Sequence, residues 1–246
     1  MDLQEKDLTL VLIKPDGLKA SLTGYILSQF SEFHAGLRFA ATKVVHVSRM
    51  LAEEHYAEHK GEPFYASLIE YITGRIHYAE LPQKRRVIAI VYCGPDAVKR
   101  ARQIAGPTNP HLARESAPGT IRALGTVVPV KNSSGSQIGE RMDNLVHASA
   151  SHAEAEREIK LWFQPSDIMP YMRAYPAEYC DDHYYLIDGR VSNTQEPGSR
   201  CILAPGNLAW RSDLEALRLL SRGFCAPCSV DAVVAKYLIN EKEEAC

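Results

Sequence analysis

The sequence has no long hydrophobic run and almost no net charge. Its longest purely apolar segment, Val87–Cys93, is far shorter than the roughly 20 residues that a membrane-spanning helix needs, so no membrane partner is expected. The 28 Lys and Arg residues nearly balance the 30 Asp and Glu residues, which gives a formal net charge of −2. Without a broad positive surface, no specific nucleic acid binding is expected, and any site for an anion must be local.

A secretion signal is also missing, and cysteine is scarce in most of the chain. Residues 1–7 contain neither a basic segment nor an apolar core, so we predict a cytoplasmic protein without a signal peptide. Only Cys93 precedes residue 180, and the others are Cys180, Cys201, Cys225, Cys228 and Cys246. This usage is poor evidence for disulfides, and it indicates that the chain changes character near residue 180.

What the sequence does contain is typical of a folded globular protein. Of its 246 residues, 46% are apolar and 24% are charged, which excludes a disordered chain. Apolar periodicity predicts strands and helices in the order β-α-β-α-β-α-β-α, which suits a small mixed sheet with helices packed on one side. The predicted strands are Leu8–Ile13, 39–47, Val87–Cys93 and 145–147, and the predicted helices are 24–33, 48–55, 95–104 and 151–163. The connecting segments are predicted to be a turn at 14–17, an ordered loop at 106–119 and a flexible, exposed segment at 131–139.

Four polar residues beside breaks in the predicted backbone are candidates for an anion site. Lys14 stands where a buried strand ends at Pro-Asp-Gly, so it can project from a rigid strand end. Arg102, Thr108 and Arg122 form a second group, and the planar guanidinium of arginine suits phosphate because it donates two parallel hydrogen bonds. Taken singly, each is more often a solvated side chain or a member of a surface ion pair.

His147 lies between a predicted strand and the start of a helix. Neutral imidazole is a competent nucleophile near pH 7, since one ring nitrogen can attack while the other is held. Glu158 follows 11 positions later, within the next helix, and could hold that second nitrogen. Asn144 can converge with His147 only if the backbone bends between or before them. An isolated histidine is far more often structural than catalytic.

Tyr56 and Phe64 supply aromatic surface near the predicted helix at 48–55. Phe64 follows Glu-Pro after a glycine, so it is expected at the edge of a helix. A phenylalanine there is either part of the core, which is the more frequent case, or a stacking face for a nucleobase.

These residues stand in motifs that resemble those of the nucleoside diphosphate kinase family. The motifs are Ile-Lys-Pro-Asp-Gly at 13–17, His-Tyr at 55–56 with Pro-Phe at 63–64, Thr-Asn-Pro to Pro-Gly-Thr-Ile-Arg over 108–122, Asn-Leu-Val-His-Ala-Ser at 144–149, and 155–163. The resemblance covers residues 5–173. Motifs spread along such a length are far more specific than any one of them alone.

The resemblance implies ping-pong transfer of the γ-phosphate of a nucleoside triphosphate, typically ATP, to a nucleoside diphosphate. In this correspondence His147 is the nucleophile and Glu158 orients its imidazole. The residues implied to bind the nucleotide are Lys14, Tyr56, Arg102, Thr108 and Arg122 at the phosphates, Asn144 with Lys14 at the ribose, and Phe64 with Leu68 at the base. Mg²⁺ held through the phosphates and a homo-oligomer are also implied, with hexamer, tetramer and dimer left open.

The implied fold is a ferredoxin-like α/β sandwich with a four-stranded antiparallel sheet in residues 1–175. Residues 176–246 are expected to be a C-terminal extension of unknown role, packed on the core, with a strand and turn at 181–190 and helices at 212–220 and 231–239. Its cysteines could bind zinc, although buried thiols are favoured. Those cysteines are Cys180, Cys201, Cys225 and Cys228.

The chain departs from the usual family pattern in three places. Ala148 and Ala150 replace a usual glycine and aspartate, the interval between Arg122 and Asn144 is longer than usual, and residues 111–116 are additional. None of these departures removes a charged or nucleophilic group, so we expect an active enzyme. The alternative is a non-catalytic nucleotide-binding or scaffold protein that kept the fold.

Overall fold

The computed structural model describes residues 7–131 and 134–238 of the chain. The chain divides into two compact units, the first ending at Ile159 and the second beginning at Lys160, and each unit has its own core. The predicted division between residues 175 and 176 follows the extent of the family resemblance and stays a prediction.

The first unit contains the predicted α/β core. Its described strands are β1 (Leu8–Ile13), β2 (Arg38–Val45), β3 (Val87–Cys93), β4 (Thr126–Lys131), β5 (Gln137–Asp143) and β6 (Val146–Ala148). Its described helices are α1 (Pro15–Lys19), α2 (Thr23–Gln29), α3 (Glu32–Ala35), α4 (Arg49–His55), α5 (Tyr65–Ile72), α6 (Ala97–Ala105), α7 (Pro110–Ser116) and α8 (His152–Trp162), whose last residues belong to the second unit.

Four strands form one antiparallel sheet in the order β2-β3-β1-β6. The central strand β1 is buried along its whole length, as expected for an apolar run between two neighbours. Its pairing with β6 sets Leu12 opposite His147, so the histidine lies on an edge strand beside the core. The predicted ferredoxin-like antiparallel sheet is confirmed.

Helices α2, α3 and α6 contribute to the main core on the sheet. Ala97, Ala101 and Ala105 recur every four residues along α6 and are fully buried, because small side chains on one helical face let the helix approach closely. Phe30 stacks on Tyr92 of β3, with ring centroids 5.1 Å apart. This packing makes the sheet a rigid base for the residues at its strand ends.

Local sequence signals set several helix ends. Ser48 caps α4, since its hydroxyl accepts a hydrogen bond from the Leu51 amide at 3.1 Å. Ser151 caps α8 through the Glu154 amide at 3.2 Å. Gly36 ends α3 with φ at 65°, a left-handed conformation that glycine adopts without a steric penalty.

Two segments predicted to be irregular are helical. The predicted turn after β1 is the short helix α1, because Pro15 suits the first helical position and Asp16 lies in the first turn, near the positive end of the helix dipole. The predicted loop at 106–119 contains α7. Its start is capped by Asn109, whose side-chain oxygen accepts from the His111 amide at 2.8 Å.

The segment predicted to be flexible and exposed belongs to a β-hairpin. Strands β4 and β5 pair from Thr126 opposite Asp143 to Lys131 opposite Gln137; residues 132–133 lie outside the described part. The composition predicted no regular structure because Ser and Gly concentrate near the turn. The flanking residues nevertheless complete a ladder of backbone hydrogen bonds. The irregular backbone expected from the composition is therefore wrong for the paired residues, whereas the predicted exposure is confirmed for residues 134–137 and 139. The predicted flexibility stays a prediction.

The second unit is built from short strands and two helices. Its described elements are β7 (Ala177–Tyr179), β8 (Tyr184–Ile187), β9 (Arg190–Ser192), β10 (Arg200–Leu203), β11 (Leu208–Trp210), α9 (Arg211–Leu220) and α10 (Val230–Tyr237). The strands pair as β10-β8-β9 and β11-β7. A buried ion pair joins α9 to α10, since Lys236 donates to an Asp213 oxygen at 2.6 Å and the Tyr237 hydroxyl donates to the same oxygen at 2.8 Å.

The four described cysteines of the second unit do not gather into a zinc site. Among the described residues, the one group of His, Cys, Asp and Glu side chains close enough to share a metal ion contains no cysteine. Cys180 is buried, Cys228 is half-buried, and Cys201 and Cys225 are exposed. The predicted burial of these thiols therefore holds fully only for Cys180.

Candidate active site

One cavity of about 620 Å³ in the first unit brings the predicted site residues together. It is lined by the end of β1, by β6, by residues of α5, α6 and α8, and by the β4–β5 hairpin. The ten predicted residues in its lining are Lys14, Tyr56, Phe64, Leu68, Arg102, Thr108, Arg122, Asn144, His147 and Glu158. The hairpin residues in its lining are Val130, Gly139, Glu140, Arg141 and Met142.

His147 and Glu158 form a hydrogen-bonded pair in the lining of this cleft. Nε2 of His147 on β6 lies 3.0 Å from Oε2 of Glu158 on α8. The hydroxyl of Ser149 donates to the same carboxylate oxygen at 2.6 Å and accepts from the Leu10 amide at 3.2 Å. The imidazole is thus oriented by a buried carboxylate that is itself tied to the central strand.

The charge of Glu158 decides which nitrogen of His147 carries the proton. Burial by itself raises the pKa of Glu158, but the facing His147 ring and the hydrogen bonds from His147 and Ser149 lower it to about 2. An ionised carboxylate only accepts hydrogen bonds, so Nε2 of a neutral His147 must be the protonated nitrogen. The other nitrogen, Nδ1, therefore carries the lone pair.

His55, at the end of α4, is a buried neighbour of this pair. Its Nδ1 lies 3.8 Å from Oε1 of Glu158, and its ring packs edge-on against His147 with centroids 4.6 Å apart. Burial lowers the pKa of His55 well below its usual range, and the adjacent His147 lowers it further. His55 is therefore neutral at physiological pH and fixes the His147 ring without adding charge.

Lys14 is buried at the end of β1 and points at Asn144. Its ammonium donates a hydrogen bond to the Asn144 side-chain oxygen and lies 4.6 Å from the centroid of the Tyr71 ring. Asn144 in turn donates to the Thr108 carbonyl at 2.8 Å. Burial lowers the pKa of Lys14 to about 8, against the opposing effect of Asp16. The residue is still cationic at pH 7.

The backbone bends sharply between Asn144 and His147, as their convergence requires. Leu145 has φ at 69°, a left-handed conformation that costs energy for a leucine. The Asp16 carboxylate accepts a hydrogen bond from the Leu145 amide at 2.8 Å, and the Lys14 amide donates to the Leu145 carbonyl at 2.9 Å. These two bonds hold the strained turn that lets both side chains face the same cleft.

Arg122 is a second buried cation in the lining of the cleft that contains His147. Its guanidinium donates to the carbonyl oxygens of Gly106 at 2.8 Å and Val146 at 3.2 Å. Burial lowers the pKa of Arg122 to about 10, and neighbouring Arg102 lowers it further. Because these acceptors are neutral carbonyls, the positive charge of Arg122 remains available to an anion in the cleft.

Phe64 presents an aromatic face in the lining of the cleft. It immediately precedes α5 and is 47% exposed, while Leu68 lies one helical turn further on. This exposure favours a stacking role over the alternative of a core phenylalanine. Tyr56 is buried in the same lining, and burial raises the pKa of its hydroxyl, which therefore stays protonated.

Sequence reasoning gave no role to four supporting residues. His55, Ser149 and Asp16 stand in the quoted motifs, but each acts on a partner that is distant in sequence, which spacing alone does not reveal. Tyr71 carried one usable signal. Leu68 follows Phe64 by four residues and Tyr71 follows Leu68 by three, which places all three on one face of a helix.

The side chains in this cleft are those that one class of enzyme requires. An enzyme that moves phosphoryl groups must neutralise phosphate charge and align a nucleophile, and a nucleotide substrate also needs a face on which its base can stack. The cleft offers all of these, as in a nucleotide phosphotransferase. A family model described as nucleoside diphosphate kinase matches residues 7–168. The chain belongs to the nucleoside diphosphate kinase family.

Relatives from distant organisms agree on this activity. The nucleoside diphosphate kinase of Pyrococcus furiosus is 40% identical over 172 residues, which are 70% of this chain and 92% of that relative. The Schizosaccharomyces pombe enzyme is 41% identical over 165 residues, 67% of this chain and 91% of that relative. The crystal structure of the Aquifex aeolicus enzyme aligns with a TM-score of 0.52 and 31% identity, covering 66% of this chain and 99% of that chain. The chain is a phosphotransferase with nucleoside diphosphate kinase function.

Proposed function

We propose that this kinase works by a ping-pong mechanism in which Nδ1 of His147 carries the phosphoryl group. The observation that supports this proposal most directly is the 3.0 Å hydrogen bond between Nε2 of His147 and Glu158. It occupies one ring nitrogen, and it leaves the lone pair on the other. A histidine held in this way is prepared for nucleophilic attack.

In the first half-reaction, Nδ1 of His147 attacks the γ-phosphorus of a nucleoside triphosphate. The bond from that phosphorus to the bridging oxygen breaks, and the diphosphate leaves with the electron pair. Positive charge develops on the imidazole, and Glu158 stabilises it through the Nε2 proton. In the second half-reaction, a terminal oxygen of another nucleoside diphosphate attacks the same phosphorus, the N–P bond breaks and neutral His147 is restored.

The remaining side chains are proposed to bind the nucleotide. Lys14, Arg102 and Arg122 neutralise phosphate charge, which is the main requirement of phosphoryl transfer. The hydroxyl groups of Tyr56 and Thr108 donate hydrogen bonds to the phosphates. The Lys14–Asn144 pair contacts the ribose hydroxyls, and Phe64 with Leu68 contacts the base.

Mg²⁺ is the divalent cation proposed for this reaction, held through the nucleotide phosphates. When bound, it would offset phosphate charge and orient the transferring group. Mg²⁺ prefers oxygen ligands and keeps several waters. The cleft fits that preference, because the carboxylates of Glu58 and Glu154 line it and can accept hydrogen bonds from such waters.

The alternative of a non-catalytic scaffold is not favoured by any of these observations. A nucleotide-binding scaffold needs no histidine oriented by an ionised carboxylate, yet His147 and Glu158 hold that geometry inside the same cleft as the cations.

Initial-rate kinetics test the proposed two-step mechanism. With γ-labelled ATP and unlabelled GDP, the label should move to GTP, and double-reciprocal plots at several GDP concentrations should be parallel. Chelation of Mg²⁺ by EDTA should stop the transfer, and added Mg²⁺ should restore it. Intersecting lines, which indicate that both nucleotides bind at once, would contradict a phosphoenzyme intermediate.

The pKa of Lys14 predicts a pH dependence for nucleotide binding. Its lowered value of about 8 means that the free enzyme loses this positive charge as the pH rises through 8. The kcat/KM value for ATP should therefore fall above pH 8, approaching about tenfold per pH unit. Lys14→Arg should move this fall beyond pH 10, because arginine stays protonated there. Lys19→Arg, which changes an exposed residue of α1, is the control. If kcat/KM falls above pH 8 in Lys14→Arg as it does in the wild type, the titrating group is not Lys14.

Stacking on Phe64 predicts little discrimination among bases. Phe64→Ala should weaken binding of ADP, GDP and CDP alike, by about 5- to 150-fold, since a base–aromatic stack contributes about 1–3 kcal/mol. Phe33→Ala removes a phenylalanine that is 93% exposed on α3 and is the matched control. Dissociation constants from calorimetry decide the question, and selective loss of one nucleotide would contradict stacking.

The assembly implied by the family resemblance and the location both stay proposals. Among the residues that the structure describes, no helix is long and apolar enough to cross a membrane. We propose a cytoplasmic homo-oligomer, and light scattering at micromolar concentration distinguishes a hexamer, a tetramer and a dimer from a monomer.

A further inference from the structure

The β4–β5 hairpin forms part of the wall of the nucleotide cleft. It lies outside the four-stranded sheet, between Arg122 and Asn144 in the chain. Arg141 and Met142 of β5 and Val130 of β4 line the cleft. The position of this wall therefore depends on what holds the base of the hairpin in place.

Asp143, the last residue of β5, forms contacts that hold the base of the hairpin. We call its cluster with Arg141 and His77 the junction. The Arg141 guanidinium donates to its two carboxylate oxygens at 2.6 Å and 3.0 Å. His77, in the connection between α5 and β3, lies with its Nε2 2.9 Å from the second oxygen. Asp143 is 8% exposed. Burial by itself raises its pKa, but the hydrogen bonds from His77 and Arg141 outweigh burial and lower the pKa to about 2.

The ionised state of Asp143 fixes the direction of these hydrogen bonds. A carboxylate only accepts, so Nε2 of His77 must be a donor. Charge-assisted hydrogen bonds in a nearly dry environment are stronger than neutral ones. This cluster therefore ties three parts of the first unit together, namely the hairpin, the connection that carries His77 and the strained turn after Asn144.

The contacts continue from Asp143 directly into the nucleotide site. The next residue is Asn144, which accepts from Lys14 and donates to Thr108. The backbone at this junction is closely packed, since a Cβ on Gly125 would lie 2.5 Å from the Asp143 carbonyl oxygen. A shift of Asp143 would therefore move Asn144 with it.

Tyr71 provides a second connection between His77 and Lys14. Its ring centroid lies 5.2 Å from that of His77 and 4.6 Å from the Lys14 ammonium. His77 therefore reaches Lys14 by two routes, one through Tyr71 and the other through Asp143 and Asn144. Neither route passes through the pair of His147 and Glu158.

We propose that Asp143 and His77 are positioning residues of the nucleotide site. By joining the hairpin to the connection between α5 and β3, they hold Asn144 and Lys14 where these residues bind the nucleotide. The proposal rests on the proposed binding roles of Lys14 and Asn144. Because the imidazole of His147 is oriented by Glu158, outside the junction, loss of the junction should weaken nucleotide binding far more than it slows chemistry at saturating nucleotide.

The test is the effect of Asp143→Asn on KM and kcat. Asparagine keeps the size of the side chain but removes the charge and one acceptor oxygen. We expect KM for ATP to rise about tenfold, because hydrogen bonds to a charged group are among the stronger contributors to the stability of a site. The kcat value should stay within about threefold of the wild type, since removal of a catalytic group lowers kcat far more. Asp96→Asn, at an exposed position before α6, is the control and should leave both constants unchanged.

Variants of His77 test the same proposal independently, and they still do so if Asp143→Asn does not fold. His77→Ala should raise KM to a similar extent, whereas His77→Gln, whose amide can still donate to Asp143, should restore much of the affinity. The double variant of His77→Ala with Asp143→Asn should be no worse than the worse single variant, since partners in one network are not additive. Thermal melting of every variant confirms that it is folded at the assay temperature.

The outcomes separate this inference from the proposed function. If the wild type forms no phosphoenzyme, the proposed mechanism fails whatever the variants do. If the wild type forms it and folded variants keep an unchanged KM, or lose kcat as much as they raise KM, the positioning role is overturned. A raised KM with kcat preserved, and rescue by His77→Gln, supports it.

Discussion

His147→Ala should lose nucleoside diphosphate kinase turnover by about 10⁴-fold or more, because removing a covalent nucleophile leaves only binding and electrostatic contributions. Alanine cannot form the N–P bond, so no phosphoenzyme should accumulate. Binding of ADP should survive, since the residues proposed to bind it, Lys14, Arg122 and Phe64 among them, are unchanged in this variant. Steady-state rates and calorimetric dissociation constants measure the two effects separately.

The matched control for this variant is His152→Ala. His152 lies five residues further along the chain, its side chain is 77% exposed, and it pairs with Asp7 rather than with the cleft. It should keep full turnover. Full turnover by His147→Ala would mean that another group is the nucleophile.

Glu158→Gln should slow turnover by about 10²- to 10³-fold, which is the cost of removing one preorganised electrostatic contact. The amide still bonds to the imidazole, but it does not offset the positive charge that develops on His147. Its NH₂ group can also donate to Nε2 and thereby favour the wrong tautomer. Nucleotide binding should change little, so the loss should appear in kcat.

Glu156→Gln on the same helix is the control for this charge change. Glu156 does not line the cleft, and its variant should retain wild-type kcat. A Glu158→Gln variant with unchanged kcat, measured by single-turnover phosphoenzyme formation, would show that the carboxylate does not stabilise the imidazole during transfer.

The main sheet and the candidate pair His147 and Glu158 could be predicted from the sequence because their signals are local or stand in motifs. The apolar run of β1 and its end at Lys14 needed only hydrophobic periodicity, and the predicted bounds of β1 and β3 agree with the structure. His147 and Glu158 became informative only as part of the family motifs, since an isolated histidine carries little information. The need for a bend before His147 could be argued from strand geometry alone.

The parts that sequence reasoning missed depend on contacts between distant residues. The strained φ of Leu145 is held by Asp16, which lies 129 residues earlier in the chain. The hairpin was misjudged because Ser and Gly near its turn concealed the ladder on either side. The junction of Asp143 with His77 joins the end of β5 to a connecting segment, where no periodic pattern exists to predict the contact.

Direct mapping of the phosphoryl group on the wild-type chain is the most decisive measurement. The protein is incubated with γ-labelled ATP and Mg²⁺, quenched in alkali, digested and fragmented by mass spectrometry under conditions that preserve the N–P bond. The account predicts an acid-labile, base-stable label on His147 and none on His152, with the label discharged by added nucleoside diphosphate. No label, or a label on any residue other than His147, would contradict it.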